Sequence, residues 1–312
     1  MIFESFVFAV DVTLPISIII ILGVILKRLA WINDEFANIG SKLVFNLTLP
    51  ALLFVNIATT DLSRHFPVLL IAVAAGMMIL SFVVLHFFAK YIPEQSSRGA
   101  FVQGTCRGNM AIIGLALAAN AFGNEVLPLA AMYLAVLVVP VNIFSILTLY
   151  YHQAETPSFK TVSKSVLTNP LAIAIFAALF IALFSLKLPR VIMDTGHYLA
   201  RMTLPLALLC VGASIRIHEF KASRLLYAAI VGKIVILPLI ATLIGYYCGL
   251  QGQELGVLYV MSAAPTAAAA YPMVRSIGGN YHLTAAIIAG STLFSMFTSA
   301  FGLFLLRFTG WI

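Results

Sequence analysis

Arg107, in the segment Cys106-Arg107-Gly108-Asn109-Met110, lies inside a run of apolar residues, about eight residues and, at 1.5 Å per helical residue, about 12 Å from the nearer edge of a bilayer. Snorkelling covers only part of that depth. A fixed guanidinium beside the unpaired N–H groups of an interrupted helix suits an anion, above all a carboxylate, which accepts two parallel hydrogen bonds. A water-filled vestibule or an ion pair with a lipid phosphate is the competing use. The amide of Asn109 can donate to the same carboxylate, or satisfy opened backbone, without the desolvation cost of a charge. Lys233 follows Gly232 in the middle of another apolar run and serves either an anion path or a structural hydrogen bond. Beside Pro265, Thr266 and Tyr271 supply hydroxyls, while Ala267 to Ala270 leave room for a crossing helix or a ligand. Plain helix packing through small residues and an ordinary packed aromatic are the alternatives there.

Other chemistry is missing. Each of the 11 acidic residues can be placed in a loop or at the end of an apolar run. No intramembrane carboxylate is then left to carry a proton or neutralise sodium, unless Asp11 or Glu125 folds inward. His86 reads as a hydrogen-bonded structural histidine. Arg201, near the end of its run, reads as snorkelling. Cys106, Cys210 and Cys248 are isolated, without metal-ligand spacing. With no acid/base pair, Ser/His pair or metal cluster, the chain is not expected to be an enzyme or to need a cofactor or metal.

The elements that must position these residues follow from composition. Of 312 residues, 62% are hydrophobic and 9% charged, against roughly 45–50% and about 25% in soluble domains. At about 20 residues per span, apolar runs near 11–30, 42–60, 67–90, 99–121, 126–150, 168–186, 196–215, 223–248, 254–274 and 282–306 predict ten membrane spans. The fourth is interrupted by Gly104, Gly108, Asn109 and Gly114, the ninth by Pro265 and Pro272. The net charge of +7 is dispersed over loops, which argues for membrane orientation and against nucleic-acid binding. With the N-terminus outside, inward loops carry Lys27, Arg28, Lys42, Lys90, Arg98, Lys160, Lys164, Arg216, Lys221, Arg224 and Arg275, and outward loops only Arg64, Lys187, Arg190 and Arg307. That asymmetry predicts both termini outside. Glu4 and Asp11 near the start speak against a cleavable signal peptide.

At an offset of 155, Pro15 falls on Pro170 and Thr48-Leu49-Pro50 on Thr203-Leu204-Pro205. The same offset sets Arg107-Gly108-Asn109-Met110 opposite Ser262-Ala263-Ala264-Pro265. An odd number of spans per repeat makes the second half cross in the opposite sense, as in secondary transporters. The expected fold is therefore all-α, a polytopic membrane protein of ten transmembrane helices in two inverted five-helix repeats. Residues 1–151 form the first repeat, 152–164 a cytosolic connection and 165–312 the second. Helices four and nine are broken and cross. Paired interruptions of this kind point to a central substrate site.

Three segments carry a resemblance to a known family: Lys42-Leu43-Val44-Phe45-Asn46-Leu47-Thr48-Leu49-Pro50-Ala51-Leu52-Leu53-Phe54, Arg107-Gly108-Asn109-Met110-Ala111-Ile112-Ile113-Gly114, and Thr203-Leu204-Pro205. Over essentially its whole length the chain resembles the auxin efflux carrier family, particularly bacterial members described as organic-acid permeases, whose fold is shared with bile-acid sodium symporters. The resemblance implies an X-shaped crossing of helices four and nine, a scaffold of spans one, two, six and seven, and a mobile core moved as an elevator. By position, Asn109 matches an asparagine of the first crossing and Pro265 the proline of the second. Ala269 stands where relatives often have another asparagine, so Thr266 or Arg107 takes its part in contacting a carboxylate. The acidic sodium-binding pattern of bile-acid symporters is missing. The expectation is a secondary active transporter for a small organic anion, a mono- or dicarboxylate of malate or malonate type. It would sit in a bacterial inner membrane, plausibly as a homodimer, and bind substrate through Arg107, Gly108, Asn109, Pro265, Thr266, Tyr271 and Lys233. A sodium-coupled carrier, a membrane-embedded enzyme and an anion channel are the alternatives.

Overall fold

The computed structural model describes residues 2–59, 66–153, 168–184, 186, 188–215 and 223–312. Arg64, Lys160, Lys164, Lys187, Arg216, Lys221 and nearly all of the expected 152–164 connection lie outside them. Among the described residues the chain is helical, with no strand beyond one isolated bridge.

The first part holds α1 (Ile2–Arg28), α2 (Asp34–Ala58), α3 (Val68–Ala89), the short pair α4 (Gln95–Cys106) and α5 (Met110–Phe122), and α6 (Leu127–His152). The second holds α7 (Pro170–Leu183), α8 (Arg190–Ser214), α9 (Arg224–Tyr247), the short pair α10 (Gly252–Ala263) and α11 (Ala270–Ser276), and α12 (Tyr281–Phe308). Thus three helices, an interrupted pair and a closing helix follow one another twice. Six of the described helices, α1, α2, α3, α6, α9 and α12, are long and apolar enough to cross a membrane. Bulky apolar side chains such as Phe3, Phe88, Phe176, Phe180, Phe297 and Phe301 stand exposed on the outside. An apolar exterior of this kind calls for lipid around it.

Local chemistry sets the helix ends and irregularities. The Asn33, Asn169, Ser223 and Asn280 side chains accept hydrogen bonds from the first free N–H groups of α2, α7, α9 and α12. Two helices widen into a π turn immediately before a proline. In α2 the turn is Val44–Thr48, with Pro50 following; in α9 it is Gly232–Ile236, with Pro238 following. Proline has no N–H and its ring collides with the carbonyl four residues back, and a wider turn relieves both defects. Lys233 sits in the second of these turns.

Helices α1, α2, α7 and α8 pack on one another, while α3 to α6 and α9 to α12 gather around the two interruptions. Within the first group the α1–α8 contact is made by main chain. A Cβ on Gly212 would stand 2.0 Å from the Ile20 carbonyl oxygen, and one on Gly23 would stand 2.3 Å from that of Leu209. α1 also packs along α12, and α2 against α6, which joins the two groups.

Candidate functional site at the helix crossing

Helix α4 stops because Arg107 turns to extended backbone (ψ 97°), and Asn109 leads into α5 from a non-helical conformation (φ −81°, ψ 54°). Helix α10 stops one residue before a proline: Pro265 disfavours helical backbone at the residue preceding it, and Ala264 is accordingly extended (ψ 131°). The two extended pieces then cross as an antiparallel bridge between Gly108 and Thr266. Asn109 N–H donates to the Pro265 carbonyl at 2.6 Å, and Ala267 N–H donates to the Arg107 carbonyl at 3.0 Å. The Thr266 hydroxyl donates to the Gly104 carbonyl at 2.6 Å, and Thr266 N–H donates to Ser291 Oγ of α12 at 3.1 Å. Each interruption thereby satisfies main-chain groups that the other leaves open, a requirement for irregular backbone inside a membrane.

Extended backbone sends successive side chains to opposite faces, so Arg107 and Asn109 share one face of the crossing and Gly108 opens on the other. On the first face Arg107 is 9% exposed and donates from a terminal guanidinium nitrogen to Met273 Sδ at 2.7 Å. Among the described residues it meets no carboxylate. Asn109, 7% exposed, makes its hydrogen bonds with its main chain; its side-chain amide has no partner among the described residues. On the other face Lys233, 3% exposed, donates to the Ser262 carbonyl at 2.8 Å. A Cβ on Gly108 would come within 3.0 Å of the Lys233 Nζ. The glycine is therefore what admits the ammonium to the crossing.

Six of the seven residues expected from sequence thus converge: Arg107, Gly108, Asn109, Pro265, Thr266 and Lys233. Tyr271 lies on the first turn of α11, half-buried, with its ring edge-on to Tyr281 at 5.9 Å. A cavity of about 60 Å³ adjoins the Gly108 face, and Gly108 and Lys233 are in its wall together with Ser81, Cys106, Tyr133 and Ser262. Arg107, Asn109, Pro265, Thr266 and Tyr271 are not. Ser81, Tyr133 and Ser262 carry no sequence signal, since a hydroxyl in an apolar run is ordinary. His86 lies elsewhere, its ring against those of Tyr151 and His152 at 4.5 and 4.7 Å.

Electrostatically the site is one-sided. Its buried charged side chains are Arg107 and Lys233, and no Asp or Glu is buried among the described residues. Nor is there among them a group of three His, Cys, Asp or Glu side chains that could hold a metal. The crossing therefore offers donors and positive charge, and what such a set can do is receive an acceptor.

A family model described as membrane transport protein matches residues 8–162 and 158–303. An uncharacterized transporter of Methanocaldococcus jannaschii is 23% identical over 97% of this chain and 98% of its own. One of Methanothermobacter thermautotrophicus is 24% identical over 93% and 96%, and the uncharacterized transporter YfdV of Escherichia coli is 22% identical over 81% and 83%. The chain belongs to the membrane transport protein family of auxin efflux carrier-like transporters, and is a multi-pass membrane protein of that family.

Proposed function

We propose that the protein is a secondary active carrier for a small organic anion, working by alternating access around the crossing. The observation that carries this reading is the buried Arg107 guanidinium without a carboxylate partner among the described residues, beside the unpartnered Asn109 amide. An unpaired buried charge is too costly to keep for packing alone. Arg107 and Asn109 orient the carboxylate, Pro265 and Thr266 hold the second interruption against the first, Gly108 and Lys233 supply positive charge from behind, and Tyr271 closes the far end.

The repeated order of helices supports an inverted repeat of ten spans, residues 1–151 and 165–312, with both termini outside a bacterial inner membrane. The packing of α1, α2, α7 and α8 as one group supports an elevator in which the second group carries the cargo. Exposed apolar faces on the first group suit a homodimer.

The test is uptake of labelled mono- and dicarboxylates into proteoliposomes, with proton, sodium and electrical gradients imposed one at a time. Arg107→Gln and Asn109→Ala are each expected to lower uptake at least about tenfold, since losing one partner of a buried charged contact costs roughly 2–5 kcal/mol. Unchanged uptake by both folded variants would refute the assignment.

A further inference from the structure

The acceptor that meets the Arg107 guanidinium is a thioether. Met273 lies on α11, half-buried, and its Sδ accepts from a terminal nitrogen of Arg107 at 2.7 Å and from Gln103 Nε2 at 3.6 Å. Gln103 stands four residues before Arg107, in the last turn of α4, and is fully buried. Its amide oxygen has no partner among the described residues. Two donors from one interruption thus converge on a single sulfur of the other. Thioether sulfur is a weak acceptor, whereas a guanidinium makes its strong hydrogen bonds to oxygen that is charged or strongly polar. Elsewhere the sulfurs have no such company: Met132 and Met261 are buried, and among the described residues no hydrogen-bond donor meets either.

We infer that Met273 is a redox-modification site: oxidation of its thioether to the sulfoxide gives Arg107 and Gln103 a strong oxygen acceptor and takes the guanidinium out of use. With hydrogen peroxide as oxidant, a sulfur lone pair attacks one peroxide oxygen, and the S–O bond forms as the O–O bond breaks. The proton of the transferred oxygen passes to the departing one, so sulfur is oxidised by two electrons and one water leaves. In an apolar core the polar sulfoxide disrupts packing. At Met273 the donors that satisfy it are already in place. The sulfoxide oxygen competes with a cargo carboxylate for the same N–H groups, so the oxidised protein is closed to cargo until a reductase restores the thioether. That consequence for transport rests on the reading of Arg107 as the cargo's contact.

The experiment treats the purified full-length protein, in detergent and in liposomes, with hydrogen peroxide and reads each methionine by peptide mass spectrometry. Met273 is expected to oxidise at least about tenfold faster than Met132 and Met261. Treated wild-type protein should resist a denaturing detergent as well as untreated protein, with treated Met273→Leu giving the contribution of the other methionines. Arg107→Gln should lose stability on treatment; if that variant does not fold, Gln103→Leu reads the same loss. Carboxylate uptake should fall at least about tenfold, as expected when a hydrogen bond to a charged group must first be broken, and should return with methionine sulfoxide reductases acting on both epimers. Treatment should change uptake by Met273→Leu less than about twofold. Met273→Gln, which presents a carboxamide oxygen without any oxidant, should take up at least about tenfold less than Met273→Leu. The inference is overturned if Met273 oxidises no faster than Met132 and Met261, if treatment destabilises wild type and Arg107→Gln alike, if Met273→Leu loses as much uptake as wild type, or if the reductases return none of it. Wild-type protein that moves no carboxylate before treatment overturns the transport reading instead, and the oxidation and unfolding results then decide this inference alone.

Discussion

Thr266→Val isolates the hydrogen bond that fastens one interruption to the other. Valine reproduces the shape of threonine, so no cavity opens, and the Thr266 N–H bond to Ser291 Oγ is untouched. The hydroxyl that donates to the Gly104 carbonyl at 2.6 Å disappears. That carbonyl belongs to the last turn of α4, where no helical N–H follows to replace the donor, and Thr266 is 1% exposed, so water does not reach the vacated position. A buried acceptor left without a donor costs about 1–3 kcal/mol. Thr266→Ser keeps the donor and loses one methyl group, for about 0.5–1.5 kcal/mol. Unfolding of the purified protein by a denaturing detergent in mixed micelles reads both. The expected order of stability is wild type, serine, valine. A valine variant within about 0.5 kcal/mol of wild type, or one more stable than the serine variant, would show that the two interruptions are not held together in this way.

Gly212→Ala should destabilise by about 1–3 kcal/mol, because its methyl group meets the Ile20 carbonyl and the neighbour is main chain; Gly76→Ala, with nothing within 4 Å, should be neutral or slightly stabilising in the same detergent-unfolding assay. The hydroxyls of Ser97 and Ser96, and then the Asn280 amide, hold the Glu94 carboxyl below the usual carboxylate range. A depressed folded value means that the Glu94 contribution is present above the unfolded glutamate range and is lost as pH falls through the folded value; Glu94→Gln should therefore lower stability slightly in the neutral region, leave the acid extreme nearly unchanged, and so flatten the acid limb of a stability–pH profile. Trp311→Ala removes a ring stacked on Tyr246 at 3.8 Å and should lower the unfolding free energy by about 0.5–1.5 kcal/mol beyond the area lost.

What was legible in the sequence was whatever violates the rules of an apolar helix. Gly108 and Pro265 break periodic backbone, and Arg107 and Lys233 put charge where lipid should be; each marks its own position without reference to a partner. The structure places these marks together at the crossing. Relations between distant residues were not legible. Thr266 reads only as a hydroxyl beside Pro265 until its acceptor is seen on Gly104, 162 residues away. Tyr133 and Ser81 share a wall with Lys233 only because α3, α6 and α9 meet there. The π turns of α2 and α9 escaped notice because the apolar pattern on either side of Pro50 and Pro238 is unbroken, and composition does not register one additional residue in a turn. The breaks in the fourth and ninth apolar runs, by contrast, are legible from their glycines and prolines, and each run is two short helices joined by extended backbone.

Under the alternating access proposed above, some surfaces inside the protein have to slip. The α1–α8 seam is unsuited to that task. At Gly23 and Gly212 the two helices touch through peptide atoms, which have no rotamers to exchange and no alternative packing to fall into. A shift of even one ångström there would drive carbonyl oxygen into neighbouring main chain. The pair therefore behaves as a welded plate, and under the proposed alternating access any sliding falls to other joints between the two groups, such as those of α12 with α1 and of α6 with α2.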